Sequence, residues 1–166
     1  MEIIYLKGKS GTGKTITLKL LYCIFYETGI QNPVKTGFMR NTIDPTEIRK
    51  SINRLSYEKI NERDESVQNL AVKFQYKGKT VLIYTCGDSA TLVKKGIELA
   101  KKYQVDYYIA PTHKAFISLI IKEFSNENVI FVEKDVSLQK EGYLNCNLIQ
   151  AKNLFQQIET KIGNPS

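Results

Sequence analysis

Short apolar runs of strand length alternate along this chain with longer segments that suit helices. Ile3-Ile4-Tyr5-Leu6 is an apolar run of strand length, and the segment from about Lys14 to Glu27 reads as a helix. Thr28-Gly29 ends that helix, and a turn-rich section with Asn32-Pro33 and Gly37 follows. Residues 41 to 69 are strongly polar. Within them Ile48, Ile52 and Leu55 recur at i, i+4 and i+7, which predicts a helix from about Pro45 to Arg63 with one apolar stripe. The period then changes to two. Val72, Phe74 and Tyr76 alternate with polar residues, Lys77-Gly78-Lys79 supplies a turn, and Val81-Leu82-Ile83-Tyr84 runs on as a nearly continuous apolar strand. A β-hairpin leading into a buried central strand is expected. Helices from about Ser89 to Lys102, near Lys114 to Phe124 and from about Cys146 to Lys161 alternate with the strand runs Tyr107–Ala110 and Val129–Val132.

Strands separated by helices of this length predict an α/β domain of three layers, α/β/α, with a mainly parallel sheet and right-handed crossovers. No repeat, low-complexity tract or linker divides the sequence, so residues 1–166 are expected to form one domain, with 40–69 as a polar variable insert. In an open sheet of this kind, ligands bind beyond the carboxyl ends of the strands. That rule gathers residues 7–15, 85–88, 111–113 and 133–135 towards one edge.

The chemistry concentrates in Gly8-Lys9-Ser10-Gly11-Thr12-Gly13-Lys14-Thr15, which lies directly after the first strand and directly before the first helix. Gly8, Gly13, Lys14 and Thr15 satisfy the pattern G-x-x-x-x-G-K-[ST] in the setting that gives it meaning. Glycines let a backbone wrap closely around phosphate oxygens with its N–H groups inward, and the helix adds its positive N-terminal end. Lys14 is expected to reach the β- and γ-phosphates. The Thr15 hydroxyl is expected to ligate a Mg²⁺ bridging them. Through these residues, over positions 3 to 27, the chain resembles the P-loop NTPase superfamily.

That resemblance implies a carboxylate near the metal, at the end of a second central strand. Asp88 is the candidate, reached from Tyr84 through Thr85-Cys86-Gly87, although the family's aspartate commonly ends the apolar run itself, where this sequence has Thr85. The alternative role for Asp88 is a cap on the helix beginning at Ser89. Asn41-Thr42-Ile43-Asp44-Pro45-Thr46 resembles a switch segment and also suits plain turn and N-cap chemistry. His113, just past the strand ending at Ala110, reads either as a group near the base or γ-phosphate or as a surface residue. Lys9 gives the loop a weaker resemblance to the deviant Walker A motif of partition-type ATPases, in which an early lysine reaches the partner's nucleotide across a homodimer. Ser10 stands where that family usually has glycine.

Lys and Arg number 24 against 17 acidic residues, a net charge of +7 that suits polyphosphate ligands and allows nucleic acid as a partner without requiring it. All four arginines, Arg40, Arg49, Arg54 and Arg63, fall within the polar insert. They read either as forks that hold an acceptor or a protein partner, or as a helix face paired with Glu47, Glu58 and Glu62. Cys23, Cys86 and Cys146 are odd in number and far apart, and Met1 leads straight into the first strand with no long apolar span anywhere. A reduced, cytoplasmic chain that does not cross a membrane is expected.

The sequence therefore predicts a Mg²⁺-dependent nucleoside triphosphatase, a hydrolase most at home with ATP and coupled to a partner. The alternatives are a small-molecule or nucleotide kinase and a non-catalytic nucleotide switch. Neither Thr112-His113-Lys114-Ala115 nor Val132-Glu133-Lys134-Asp135 supplies the Asn-Lys-x-Asp guanine motif.

Overall fold

In a computed structural model, which describes residues 1–37, 41–53, 69–136 and 143–164, the chain forms one mixed sheet with helices on both faces. The described elements are, in order, β1 (Glu2–Lys7), α1 (Lys14–Gly29), β2 (Gln31–Lys35), α2 (Pro45–Asn53), β3 (Ala71–Tyr76), β4 (Lys79–Tyr84), α3 (Ala90–Lys102), β5 (Tyr107–Thr112), α4 (Ile117–Glu123), β6 (Asn128–Glu133) and α5 (Tyr143–Gly163). A single 3₁₀ turn, Lys114–Phe116, precedes α4, so the helix expected from Lys114 begins later.

The strand order is β2-β3-β4-β5-β1-β6. β4, β5, β1 and β6 run parallel, and β3 and β2 are antiparallel additions at one side. The expected hairpin is present. Lys77 and Gly78 both take positive φ, at 48° and 74°, in the two-residue turn whose twist matches the flanking strands. β2 is a departure from the expected turn-rich section. Pro33 cannot donate to a ladder, and an edge strand is where it is tolerated; the β2–β3 register shifts between Gln31 and Val34.

Period-two alternation divides the central strands between two cores. Ile4 and Leu6 of β1, Val81 and Ile83 of β4, and Tyr107 and Ile109 of β5 face α1, α2 and α5. Ile3, Tyr5, Leu82, Tyr84, Tyr108 and Ala110 face α3 and α4. The three-layer arrangement follows from that division. α1 is buried on nearly every side, from Ile16 through Cys23 and again at Phe25, because α2 and α5 flank it while the sheet lies beneath.

Within the polar insert, α2 is described as far as Asn53, and the remainder of the helix expected to Arg63 lies outside the described residues. Leu55, Arg54 and Arg63, with the rest of 54–68, lie outside the described residues, as does Arg40. No described helix is long and apolar enough to cross a membrane.

Candidate phosphate-binding site

Residues 8–13 leave the carboxyl end of β1 and turn directly into α1. The turn depends on Gly11 and Gly13, whose φ values of 73° and 83° lie in the left-handed region that side-chain-bearing residues avoid. Gly13 stands at the N-cap of α1 and no side chain caps the helix there. The first-turn N–H groups thus keep their positive end available to an anion.

Lys14 folds back over this turn. Its Nζ donates to the carbonyls of Gly8 at 2.9 Å and Lys9 at 2.6 Å, and the residue is 6% exposed. Loss of water pulls the Lys14 pKa below the ordinary lysine value; the Asp88 charge opposes that shift and the Lys134 charge adds to it. Thr12 closes the loop from within, its hydroxyl donating to Lys9 O at 2.8 Å. Thr15 is half-buried in the first turn of α1, while Lys9 and Ser10 are exposed.

The neighbouring strands bring the other candidates to the same edge. β5 lies between β1 and β4, and Gly8 N–H donates to Thr112 O at 3.1 Å. Asp88 follows β4 with its side chain 70% exposed, and its Oδ1 lies 3.2 Å from Nε2 of His113, past the end of β5. With its proton on Nε2 the ring donates to that carboxylate. The helix-cap role belongs to Ser89, whose hydroxyl oxygen accepts from Leu92 N–H at 3.3 Å, so Asp88 is not the cap of α3. Thr85, which directly follows the apolar run of β4, is a tie inside the fold. Its Oγ1 accepts from Leu70 N–H at 2.7 Å and its own N–H donates to Leu70 O at 2.8 Å.

The switch-like segment is engaged in turn and cap chemistry. Thr42 Oγ1 accepts from Asp44 N–H at 3.0 Å, and Asp44 Oδ1 accepts from Thr46 N–H at 2.9 Å at the start of α2. Arg49 is paired within the fold, through Nε at 2.9 Å and a terminal nitrogen at 2.7 Å to Oε1 of Glu27 on α1. That carboxylate is none of the three proposed from sequence, because the apolar stripe of α2 turns Arg49 towards the end of α1. Glu47 pairs instead with Lys50 at 3.2 Å.

Sequence reasoning passed over Lys134, which lies just past β6, 7% exposed and against Gly8. The strand-end rule did bring residues 133–135 to this edge, but no motif marked the lysine. Among the described residues no three or more His, Cys, Asp or Glu side chains form a cluster able to hold a metal by themselves. A Mg²⁺ here would therefore depend on ligand phosphates and water, with Thr15 and Asp88 as the protein's oxygen donors; a hard cation that keeps most of its water fits so sparse a set. Compared with models of protein families, with curated proteins and with solved structures, the chain matches none.

Proposed function

We propose that this chain is a P-loop nucleoside triphosphatase that binds ATP or another nucleoside triphosphate with Mg²⁺ and hydrolyses it. The observation that carries this reading is Lys14: a buried lysine whose ammonium, among the described residues, donates to the carbonyls of Gly8 and Lys9 at the open N-terminus of α1. An ammonium so stripped of water gains most from a phosphate oxygen, and the loop and helix amides add fixed positive ends around it.

Hydrolysis of the terminal phosphoryl group breaks its bond to the bridging oxygen and forms one to water, releasing nucleoside diphosphate and phosphate. The chain's task is to position the triphosphate and to offset charge that builds on the leaving oxygens. Lys14 and the loop amides serve both needs. A Mg²⁺ ion, when bound with the nucleotide, would supply further neutralisation of phosphate charge. Thr15 and Asp88 would be the residues that hold it, with the Asp88 carboxylate kept in place by His113 at 3.2 Å.

The test is nucleotide binding beside product analysis for the parent chain and three variants. Lys14→Ala is expected to remove most triphosphate binding in a folded protein. Thr15→Ala is expected to shift the Mg²⁺ titration more than Mg²⁺-free binding, and Asp88→Asn to lower turnover more than affinity. A folded Lys14→Ala protein with the parent's affinity and turnover overturns the proposal. Transfer of phosphate to an acceptor in a metabolite panel, in place of release to water, would favour a kinase.

A further inference from the structure

Lys134 stands outside the glycine-rich motif, yet it is buried as deeply as Lys14, at 7% against 6% exposure. It is the first residue beyond β6, and its backbone N–H donates to Lys7 O at 2.7 Å, adding one rung to the β1–β6 pairing. That rung fixes where the side chain starts. Its stem lies against Gly8: a Cβ added to Gly8 would come within 2.9 Å of Lys134 Cβ. Gly8 is the same residue whose carbonyl accepts from the Lys14 ammonium at 2.9 Å. Two buried lysines therefore meet at one residue of the loop.

The carboxylates among the described residues that act on them, Asp88 on Lys14 and Asp135 on Lys134, stop short of ion-pair contact. Among the described residues, neither ammonium forms an ion pair; Lys14 donates to two carbonyls and Lys134 to the Asp135 carbonyl. Carbonyl dipoles take up some of the N–H groups but leave the net charge in place. Burial lowers the Lys134 pKa, with Cys146 and Asp135 opposing the shift, and Lys134 in turn disfavours the charge on Lys14. Lysine is rarely buried this far without a partner of opposite sign, since an unpaired ammonium loses the water that stabilises its charge.

We propose that Lys134 is a second phosphate-binding cation of this site, acting with Lys14 and making the site selective for a chain of phosphates over a single one. The inference rests on the phosphate-loop reading given above. Selectivity follows from charge. A single phosphate is matched by Lys14 and the loop amides, whereas each added phosphate brings negative charge that a second buried cation attracts. The preferred ligand class is di- and triphosphate esters.

Calorimetric titration with inorganic phosphate, pyrophosphate and tripolyphosphate, without Mg²⁺ and without any base or sugar, isolates this contribution. Lys134→Met is expected to weaken tripolyphosphate by about tenfold or more, the worth of one charge-assisted contact, and to weaken inorganic phosphate by less. Lys134→Arg keeps the charge and is expected to stay within a few-fold of the parent, by the same reasoning. Lys14→Met is expected to lose all three ligands. If Lys14→Met loses binding while Lys134→Met binds tripolyphosphate like the parent, or loses both ligands equally, the Lys134 assignment is overturned and the phosphate loop stands. If Lys14→Met binds all three like the parent, the phosphate loop itself is overturned. Lys134→Gln provides a second neutral variant, and a chain that folds with neither Met nor Gln at 134 marks this lysine as a part of the fold and overturns the assignment as well.

Discussion

Thr85 and Thr36 are both buried, at 2% and 3% exposure, but they differ in what their hydroxyls do. Thr85 Oγ1 accepts from Leu70 N–H at 2.7 Å, whereas Thr36 Oγ1 has no partner among the described residues. Replacing each by valine keeps the shape and removes the oxygen. Thr85→Val leaves a buried N–H unsatisfied and is expected to cost about 1–3 kcal/mol, while Thr36→Val loses no bond and is expected to be neutral or stabilising. Urea midpoints of the two variants against the parent check this. The same contrast explains what single residues disclose in sequence. Lys14 stands out in the sequence because the pattern G-x-x-x-x-G-K-[ST] sets a lysine at a fixed offset from its glycines. Thr85 and Lys134 carry no such spacing; their roles come from partners that only the folded sheet brings near.

At the scale of elements, the junction of β4 and α3 separates two roles that adjoining residues could have shared. Ser89 caps the helix and Asp88 points to His113. Ser89→Ala is therefore expected to lower stability by about 1 kcal/mol, while Asp88→Asn leaves the cap intact and changes the melting temperature little. Thermal unfolding of both variants distinguishes them. Gly87 completes the junction: a Cβ there would overlap the carbonyl oxygen of Pro111, so only glycine lets this loop lie against β5. Strongly periodic elements were readable in advance, from the hairpin of β3 and β4 to the parallel run of β4, β5, β1 and β6. β2 was not, because Asn32-Pro33 signals a turn wherever no neighbouring strand is considered, and its strand character is conferred by pairing with β3.

Across the whole molecule, buried ionisable groups set the response to alkali. Burial pushes the thiols of Cys23 and Cys86 from 9.0 up to about 12, and raises Tyr5, Tyr22, Tyr76, Tyr84, Tyr107 and Tyr108 above the ordinary phenol value. Above pH 9 the unfolded chain sheds thiol protons that the folded chain retains. Stability present below pH 9 is therefore lost as pH rises, at up to about 1.4 kcal/mol per pH unit for each thiol. Lys14 and Lys134, whose pKa values are lowered, act in the opposite sense just below the ordinary lysine value, where the unfolded chain holds the extra protons. The cysteines and tyrosines outnumber them. Urea midpoints are expected to fall progressively from pH 9 to pH 10.5, and Cys86→Ala is expected to make the fall shallower; an unchanged slope in that variant would contradict the assignment.

β1 occupies the middle of the parallel run, with β5 on one side and β6 on the other. Glu2 is in register with Tyr107 and Asn128, so β1 is made well before either strand that pairs with it. During synthesis, Ile3-Ile4-Tyr5-Leu6 must wait as an unpaired apolar stretch until β5 and β6 have been added behind it. Closing so long a loop precedes any reward from the pairing, which makes this assembly a slow event. The glycine-rich turn hangs from β1 and leans on Thr112 and Lys134, and it acquires its shape only then. The turn is thus translated long before the strands that give it its shape, β5 and β6, have been made.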